Sequence, residues 1–318
     1  MKVCPDCGGD NQPDARACRW CGSGFGPPVA RAQEPPRPDL APSQTGPMAP
    51  RPDFAAYGYG FEPPAGPPRA AGRFPMAVTW GFWESLLLGM AGFLIGGIVL
   101  AIPIAVTTTN GELTDTQFAL VAVLGEVGVF ATVVAWLRIR HHATWRALAV
   151  DTKRPVDALI GFGCGLGLYL VAVVGIATVL SLLLDRIAGH PIEAPDQLPT
   201  TLSGTALWLT GVAVVVCAPI AEELLFRGML FRSIRDRHGF WPGALVSSAL
   251  FGLVHWQGSP WESSILLVGT LAFVGFGLAL LYEWRRNLLT NIAAHCAFNV
   301  VGFVFFVTTS TNGTAFLR

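Results

Sequence analysis

The chain has 318 residues, of which 52% are hydrophobic and only 13% are charged, and its formal net charge is zero. Soluble domains carry roughly 25% charged residues, so this composition indicates a membrane protein with several apolar segments. A zero net charge also gives no sign of nucleic-acid binding, and we expect no nucleic-acid partner.

The N-terminus carries two cysteine pairs, Cys4 with Cys7 and Cys18 with Cys21. Four thiolates at this spacing are typical of a tetrahedral zinc site, so residues 1–25 are predicted to form a small zinc ribbon. Because four protein ligands leave no open position, the zinc would be structural, and the ribbon would serve to bind a protein partner. Two disulfides are the alternative, and they would require an oxidising compartment.

A proline-rich segment follows the ribbon. Residues 26–75 hold 14 of the chain's 24 prolines, together with many alanines and glycines. Such a composition cannot bury enough apolar surface to fold, so residues 26–78 are predicted to be a disordered linker. The transmembrane domain then covers residues 79–318.

Seven apolar spans are predicted in this domain, and most approach the roughly 20 residues that cross a bilayer. The predicted fold class is therefore an all-α polytopic membrane protein with about seven or eight transmembrane helices. The fifth span is short. The spans are 80–106, 118–137, 158–184, 206–230, 243–256, 263–282 and 288–307.

Basic residues are concentrated in alternate loops, which predicts the orientation of the chain. The other loops hold one arginine, Arg186, and several acidic residues. By the positive-inside rule the N-terminus is cytoplasmic, the C-terminus is external, and the cell membrane is the expected location. The basic positions are Arg69, Arg73, Arg138, Arg140, Arg146, Lys153, Arg154, Arg232, Arg235, Arg237, Arg285 and Arg286.

Three smaller features of the sequence also carry predictions. Residues 144–150, in a basic loop, are predicted to form a short interfacial helix. The glycines of the third span predict close helix packing along one face. Glu126 in the second span either lines the same cavity as the site or faces a helix partner, and the structural interpretation is favoured. The glycines are Gly161, Gly163, Gly165 and Gly167.

Two adjacent glutamates lie inside the fourth span, followed one turn later by an arginine. Ionisable groups at membrane depth are costly and are candidates for a functional site. Glu223 and Arg227 have the i,i+4 spacing of a helical ion pair, whereas Glu222 lies about 100° around the helix from Glu223. We therefore expect Arg227 to hold Glu223 and Glu222 to face a cavity. A purely structural ion pair near the membrane surface is the alternative.

The later spans contribute histidine and asparagine side chains. His255 closes the motif Phe251-x3-His255 in the fifth span, and Asn291, His295 and Asn299 are spaced four residues apart on the seventh. Counting from the cytoplasmic charges at about 1.5 Å per residue, His255, His295 and Asn299 reach a depth similar to that of Glu222. Together they supply a base, proton-handling groups and amide donors. Each of them, taken alone, could instead be a buried polar residue bonded to a neighbouring helix.

These motifs together resemble those of the CPBP intramembrane endopeptidases, which include prenyl-protein CAAX proteases and relatives linked to bacteriocins. The resemblance covers about 158–308 and implies eight spans, although we count seven. It implies that Glu222 and His255 activate a water molecule, that His295 and Asn299 stabilise the oxyanion, and that no cofactor is required. Glu223, Arg227 and Asn291 would support the site. The implied substrate is a membrane protein or a lipidated or other peptide.

Other functions remain open at this stage. Glu222, His255 and His295 could be zinc ligands of a metalloprotease, although a His-Glu-x2-His helix motif is absent. The chain could also be a non-catalytic membrane protein that binds a peptide, confers immunity or acts as a scaffold. An ion-coupled transporter fits intramembrane carboxylates, but no repeat relates the two halves of the sequence.

Overall fold

The computed structural model describes residues 2–3, 10–11, 13, 74, 77–99, 102–108, 113–152, 155–195, 197–199, 202, 204–258 and 260–310. The chain divides into two compact units, Met1–Met76 and Ala77–Arg318. In the first unit, strands β1 (Lys2–Val3) and β2 (Asp10–Asn11) pair antiparallel. The four ribbon cysteines and most of the predicted linker lie outside the described residues.

The second unit is built from helices, several of which are continuous through short π-helical stretches. Their bounds are α1 Phe82–Leu94, α2 Ile102–Ala105, α3 Asp115–His141, α4 Pro155–Ala188, α5 Gly204–His238, α6 Phe240–Leu253, α7 Trp261–Arg285 and α8 Leu288–Ser310.

Five of these helices, α3, α4, α5, α7 and α8, are long and apolar enough to cross a membrane. Two shorter apolar helices, Phe82–Ile98 and Phe240–Leu253, coincide with the first and fifth predicted spans. Within the described part of the chain, apolar helices thus account for all seven predicted spans. The predicted all-α polytopic fold is confirmed.

Large apolar side chains are exposed on the outer faces of the helices. Trp83, Leu159 and Ile187 have 71%, 74% and 77% of their surface accessible. Monomeric soluble proteins rarely expose apolar surface on this scale. Lipid is therefore the solvent that these outer faces require.

Helix α5 carries both glutamates and is not a regular α-helix. π-Helical hydrogen bonding occurs over Ala213–Cys217 and again over Glu223–Phe231. Pro219 lies between the two stretches and has no N–H to donate. Such wide turns are frequent at functional sites because they release backbone groups and turn side chains out of helical register.

Helices α4 and α8 pack closely through two glycines. A Cβ atom on Gly161 would collide with the carbonyl oxygen of Thr290, and one on Gly165 with that of Ala294. A Cβ atom on Gly163 or Gly167 would meet nothing within 4 Å, since these glycines lie on the opposite face of α4. The prediction of close packing is therefore confirmed for Gly161 and Gly165 and is wrong for Gly163 and Gly167.

The predicted interfacial helix at 144–150 is wrong, because this segment forms turns. Ala149 has a φ angle of 53°, which interrupts any helix. The Tyr282 hydroxyl donates to the carbonyl of Leu148 over 2.9 Å, and the Leu288 amide donates to that of Ala149 over 2.9 Å. The loop is therefore fixed to α7 and to the start of α8 rather than lying free at a membrane surface.

Candidate active site

Glu223 is the centre of a buried polar cluster that joins α5 to α8. Its side chain is fully buried, and the Nη1 atom of Arg227 donates to its Oε1 over 2.9 Å. The Nδ1 atom of His295 lies 3.0 Å from the same oxygen. The Nδ2 atom of Asn291 donates to Oε2 over 3.2 Å. One carboxylate therefore fixes three side chains of the predicted site.

Arg227 is buried beside Glu223 and contacts two neighbouring helices. Only 1% of its side chain is exposed, and its Nη2 atom donates to the carbonyl of Gly275 on α7 over 3.0 Å. Its guanidinium carbon lies 4.6 Å from the centre of the Phe251 ring, a distance typical of a cation–π contact. The arginine thus connects α5, α6 and α7 around Glu223 and does not reach a substrate.

Glu222 differs from Glu223 in that its carboxylate has no hydrogen-bond donor among the described residues. Its side chain is 20% exposed, and its nearest basic side-chain nitrogen is Nε2 of His295, at 3.8 Å. The adjacent glutamates therefore have separate environments, as their 100° separation on the helix requires. Glu222 is the one whose lone pairs are open to water or to a substrate.

The two histidines both contact one aromatic ring. The Phe251 ring lies 5.3 Å from that of His255 and 5.7 Å from that of His295. The Nδ1 atom of His255 is 2.8 Å from the carbonyl oxygen of Phe251. Since a carbonyl can only accept, Nδ1 carries the proton, and Nε2 of a neutral His255 is left as an acceptor.

The second asparagine of α8, Asn299, is also fixed by a contact to α5. Its Nδ2 atom donates to the carbonyl oxygen of Val214 over 2.7 Å. The amide nitrogen has a second hydrogen, which this bond leaves available. The sequence identified Asn299 but not its partner, because a helical carbonyl is normally occupied by its own helix.

Glu126 on α3 lies nearer to the site than expected. It is in register with the buried residues Ala119, Val129 and Val133, so it faces inward. Helix α3 packs against the segments of α5 that contain Cys217 and Glu222. No described residue forms a hydrogen bond with Glu126. Glu126 therefore lacks the hydrogen bond to a neighbouring helix that a structural role would provide.

Glu222, His255 and His295 are the residues of the membrane part that could serve as catalytic zinc ligands. Among the residues that the structure describes, no group of three or more His, Cys, Asp or Glu side chains is arranged to hold a metal ion. The metalloprotease alternative stays a prediction, which treatment with a chelator tests. The predicted ribbon zinc is a separate matter, because its four cysteines lie outside the described residues.

The family comparison covers the part of the chain that contains the site. Residues 204–301 match the family model described as "Type II CAAX prenyl endopeptidase Rce1-like". This segment includes Glu222–Arg227, Phe251–His255 and Asn291–Asn299, the three motifs that carry the predicted resemblance. The match confirms the resemblance for this segment, and it leaves the ribbon and linker outside.

Several curated proteins are similar to this chain over part of their length. The chain is similar to "Uncharacterized 24.3 kDa protein" from Escherichia coli, at 27% identity over 43% of this chain and 63% of the relative. It is 32% identical to "Putative membrane peptidase YdiL" from Bacillus subtilis (strain 168), over 26% of this chain and 32% of the relative. It is 33% identical to "UPF0177 protein YxdF" from Lactococcus lactis subsp. lactis (strain IL1403), over 27% and 44%.

The chain thus spans less than two thirds of each of these relatives. No solved structure matches it. With its apolar helices and its similarity to a membrane protease family, the chain is an integral membrane protein.

Proposed function

We propose that this chain is an intramembrane endopeptidase in which Glu222 and His255 activate a water molecule to hydrolyse a peptide bond. The observation that carries the proposal is the contrast between the two glutamates. Glu223 is saturated by Arg227, His295 and Asn291, whereas the carboxylate of Glu222 accepts no hydrogen bond from the described residues. A general base needs such an open carboxylate within reach of water.

The proposed reaction begins with water held between the Glu222 carboxylate and Nε2 of His255. Glu222 accepts a proton while the water oxygen attacks the scissile carbonyl carbon, and the carbonyl oxygen becomes an oxyanion. The second Nδ2 hydrogen of Asn299 donates to that oxyanion. His295 contributes when its Nε2 also carries a proton. The C–N bond then breaks as the proton held by Glu222 passes to the departing amine.

The supporting residues explain why the site does not relax. The backbone of Glu222 is fixed by its neighbour Glu223, and the ring of His295 by the bond from its Nδ1 to Glu223. The same carboxylate binds Arg227, which is anchored in turn to Gly275. A positioned constellation of this kind acts by holding groups in place before the substrate arrives.

The substrate class follows from the surroundings of the site. Since Glu222, His295 and Asn299 lie on helices long enough to cross a membrane, we expect a membrane protein or a lipidated or other membrane-associated peptide to be cleaved. Cleavage of prenylated proteins is an analogy to the family name and not a requirement of this geometry. The ribbon, with a structural zinc, would recruit a protein partner.

The decisive test compares membrane peptides from cells that contain the wild-type protein, lack it, or contain Glu222→Gln. We expect fragments that appear only with the wild-type protein. Glu262→Gln, which removes a carboxylate at the start of α7, is the matched control and should give the wild-type profile. Identical profiles in all four strains would contradict the proposal and would favour a non-catalytic peptide-binding or scaffold protein.

The proposed orientation places the N-terminus and the site's entrance on the cytoplasmic side of the cell membrane. It rests on the basic loops, such as 138–154. A reporter fused after Arg318 should read as external, and one inserted at Arg146 should read as cytoplasmic. A cytoplasmic reading at Arg318 would require an even number of spans.

A further inference from the structure

A proline occupies the middle of α5, where a proline is costly. Pro219 is buried and lies three residues before Glu222 in a helix that runs from Gly204 to His238. Proline removes one helical hydrogen bond, and its ring displaces the carbonyl of the preceding turn. Pro219 takes no part in the proposed reaction itself.

The hydrogen bonds around Pro219 show what it releases. The N–H of Ala218 donates to the carbonyl of Ala213, five residues earlier, and not to that of Val214. The next donor that a wide turn could offer to Val214 is residue 219, which is a proline and has none. The carbonyl of Val214 thus loses both of its helical donors.

The side chain of Asn299 supplies the donor that the Val214 carbonyl lacks. Its Nδ2 atom donates to the Val214 carbonyl over 2.7 Å. Because the carbonyl can only accept, this contact also determines which end of the amide is nitrogen. One hydrogen of Nδ2 is bound to α5, and the planarity of the amide group then fixes the direction of the other.

We propose that Pro219 is a positioning residue, which keeps the Val214 carbonyl free so that it orients the amide of Asn299. This inference rests on the proposed function, in which Asn299 donates to the oxyanion. A residue with an N–H at position 219 would offer Val214 a backbone donor. That donor would compete with Asn299 and allow the amide to rotate away from the reacting carbonyl.

The test is a double-mutant cycle with Pro219→Ala, Asn299→Ala and the combination, measured on a substrate found in the profile experiment. We expect Pro219→Ala to lower kcat with little change in KM. Its loss should be smaller than that of Asn299→Ala, for which removal of an oxyanion donor predicts about 100- to 1000-fold. In the Asn299→Ala background, Pro219→Ala should have no further effect, because its only route to catalysis is gone.

Thermal stability provides a second readout, because a purely structural role of Pro219 would predict a lower melting temperature on its replacement. Replacing a proline inside a helix restores a backbone hydrogen bond. The Pro219→Ala variant should therefore have a melting temperature equal to or above that of the wild-type protein, although its kcat is lower. Pro219→Val restores the N–H while nearly keeping the volume, which guards against a cavity effect. Pro242→Ala is the matched control: Pro242 lies in the first turn of α6, where an N–H has no helical partner, and kcat should not change.

The outcomes separate this inference from the proposed function. Normal turnover by Glu222→Gln would overturn the function itself. A large loss with Asn299→Ala but none with Pro219→Ala or Pro219→Val would overturn only the role of Pro219. Equal losses from Pro219→Ala in the wild-type and Asn299→Ala backgrounds would also overturn it. Failure of both Pro219 variants to fold would show that the proline serves the fold, which contradicts the inference.

Discussion

The Nδ1 atom of His295 lies 3.0 Å from Oε1 of Glu223, the same oxygen that Arg227 binds. A histidine on α8 and an arginine on α5 are thus fixed by one carboxylate that is itself fully buried. This shared contact ties the stability of the helix bundle to the geometry of the site. It also divides the work between the adjacent glutamates, since Glu222 keeps its carboxylate open.

Replacing Glu223 should therefore destabilise the protein as well as inactivate it. Glu223→Gln leaves the Arg227 cation buried without its anion, and breaking a buried pair typically costs about 3–5 kcal/mol. We expect a clear fall in melting temperature, measured on the detergent-solubilised protein.

The matched control for this experiment is Glu283→Gln. Glu283 pairs with Arg235 over 2.6 Å, but both side chains are partly exposed at helix ends. Arg235 binds both carboxylate oxygens of Glu283, but solvent can hydrate the arginine once the carboxylate is gone, so this change should cost less than the loss of the fully buried pair. If the two variants melted at the same temperature, the buried cluster would not be the structural centre described here.

The glycines of α4 offer a second test, one that concerns packing alone. Gly165→Ala would press a Cβ atom against the carbonyl of Ala294, one residue before His295, and such overpacking costs about 1–3 kcal/mol. Gly163→Ala meets nothing within 4 Å and should instead stabilise the helix by about 0.5–1 kcal/mol. Chemical denaturation of the two variants measures the difference. Equal effects would mean that α4 and α8 do not meet through this face.

The sequence was sufficient for the features that depend on regular periodicity. Spans appear as apolar runs, and the Glu223–Arg227 pair follows from i,i+4 spacing. The same period could have separated Gly161 and Gly165 from Gly163 and Gly167, because residues two apart lie on different sides of a helix.

Features that depend on departures from regular helix could not be predicted in this way. The bond from Asn299 to Val214 requires a wide turn that frees a backbone carbonyl, and the only signal for it was Pro219. The contact of His295 with Glu223 joins residues 72 positions apart. No local rule brings such residues together; only the packing of α5 on α8 does so.

The predicted ribbon leads to a test of metal content. The purified full chain should contain one zinc ion, bound by Cys4, Cys7, Cys18 and Cys21. Cys7→Ser should lose it, while Cys164→Ser, which changes a free thiol of α4, should keep it. Metal analysis under reducing conditions measures the ratio. A zinc content near zero in the wild-type chain would show that the cysteine pairs do not form a zinc site.

Treating the Cys7→Ser protein, which lacks the predicted ribbon zinc, with a chelator then tests the chemistry of the membrane site. In the Cys7→Ser background a chelator should leave turnover unchanged, because the proposed reaction activates water with Glu222 and His255 and uses no metal ion. Loss of turnover that zinc restores would be the contrary result. It would make Glu222, His255 and His295 ligands of a metalloprotease.

The most direct test of the central claim is the turnover of Glu222→Gln, reconstituted in lipid vesicles, on a peptide from the profile experiment. Glutamine keeps the size of the side chain but cannot accept a proton from water. The account predicts that cleavage is abolished while the melting temperature stays close to that of the wild-type protein, since Glu222 accepts no hydrogen bond from the described residues. Normal turnover by Glu222→Gln would contradict the account.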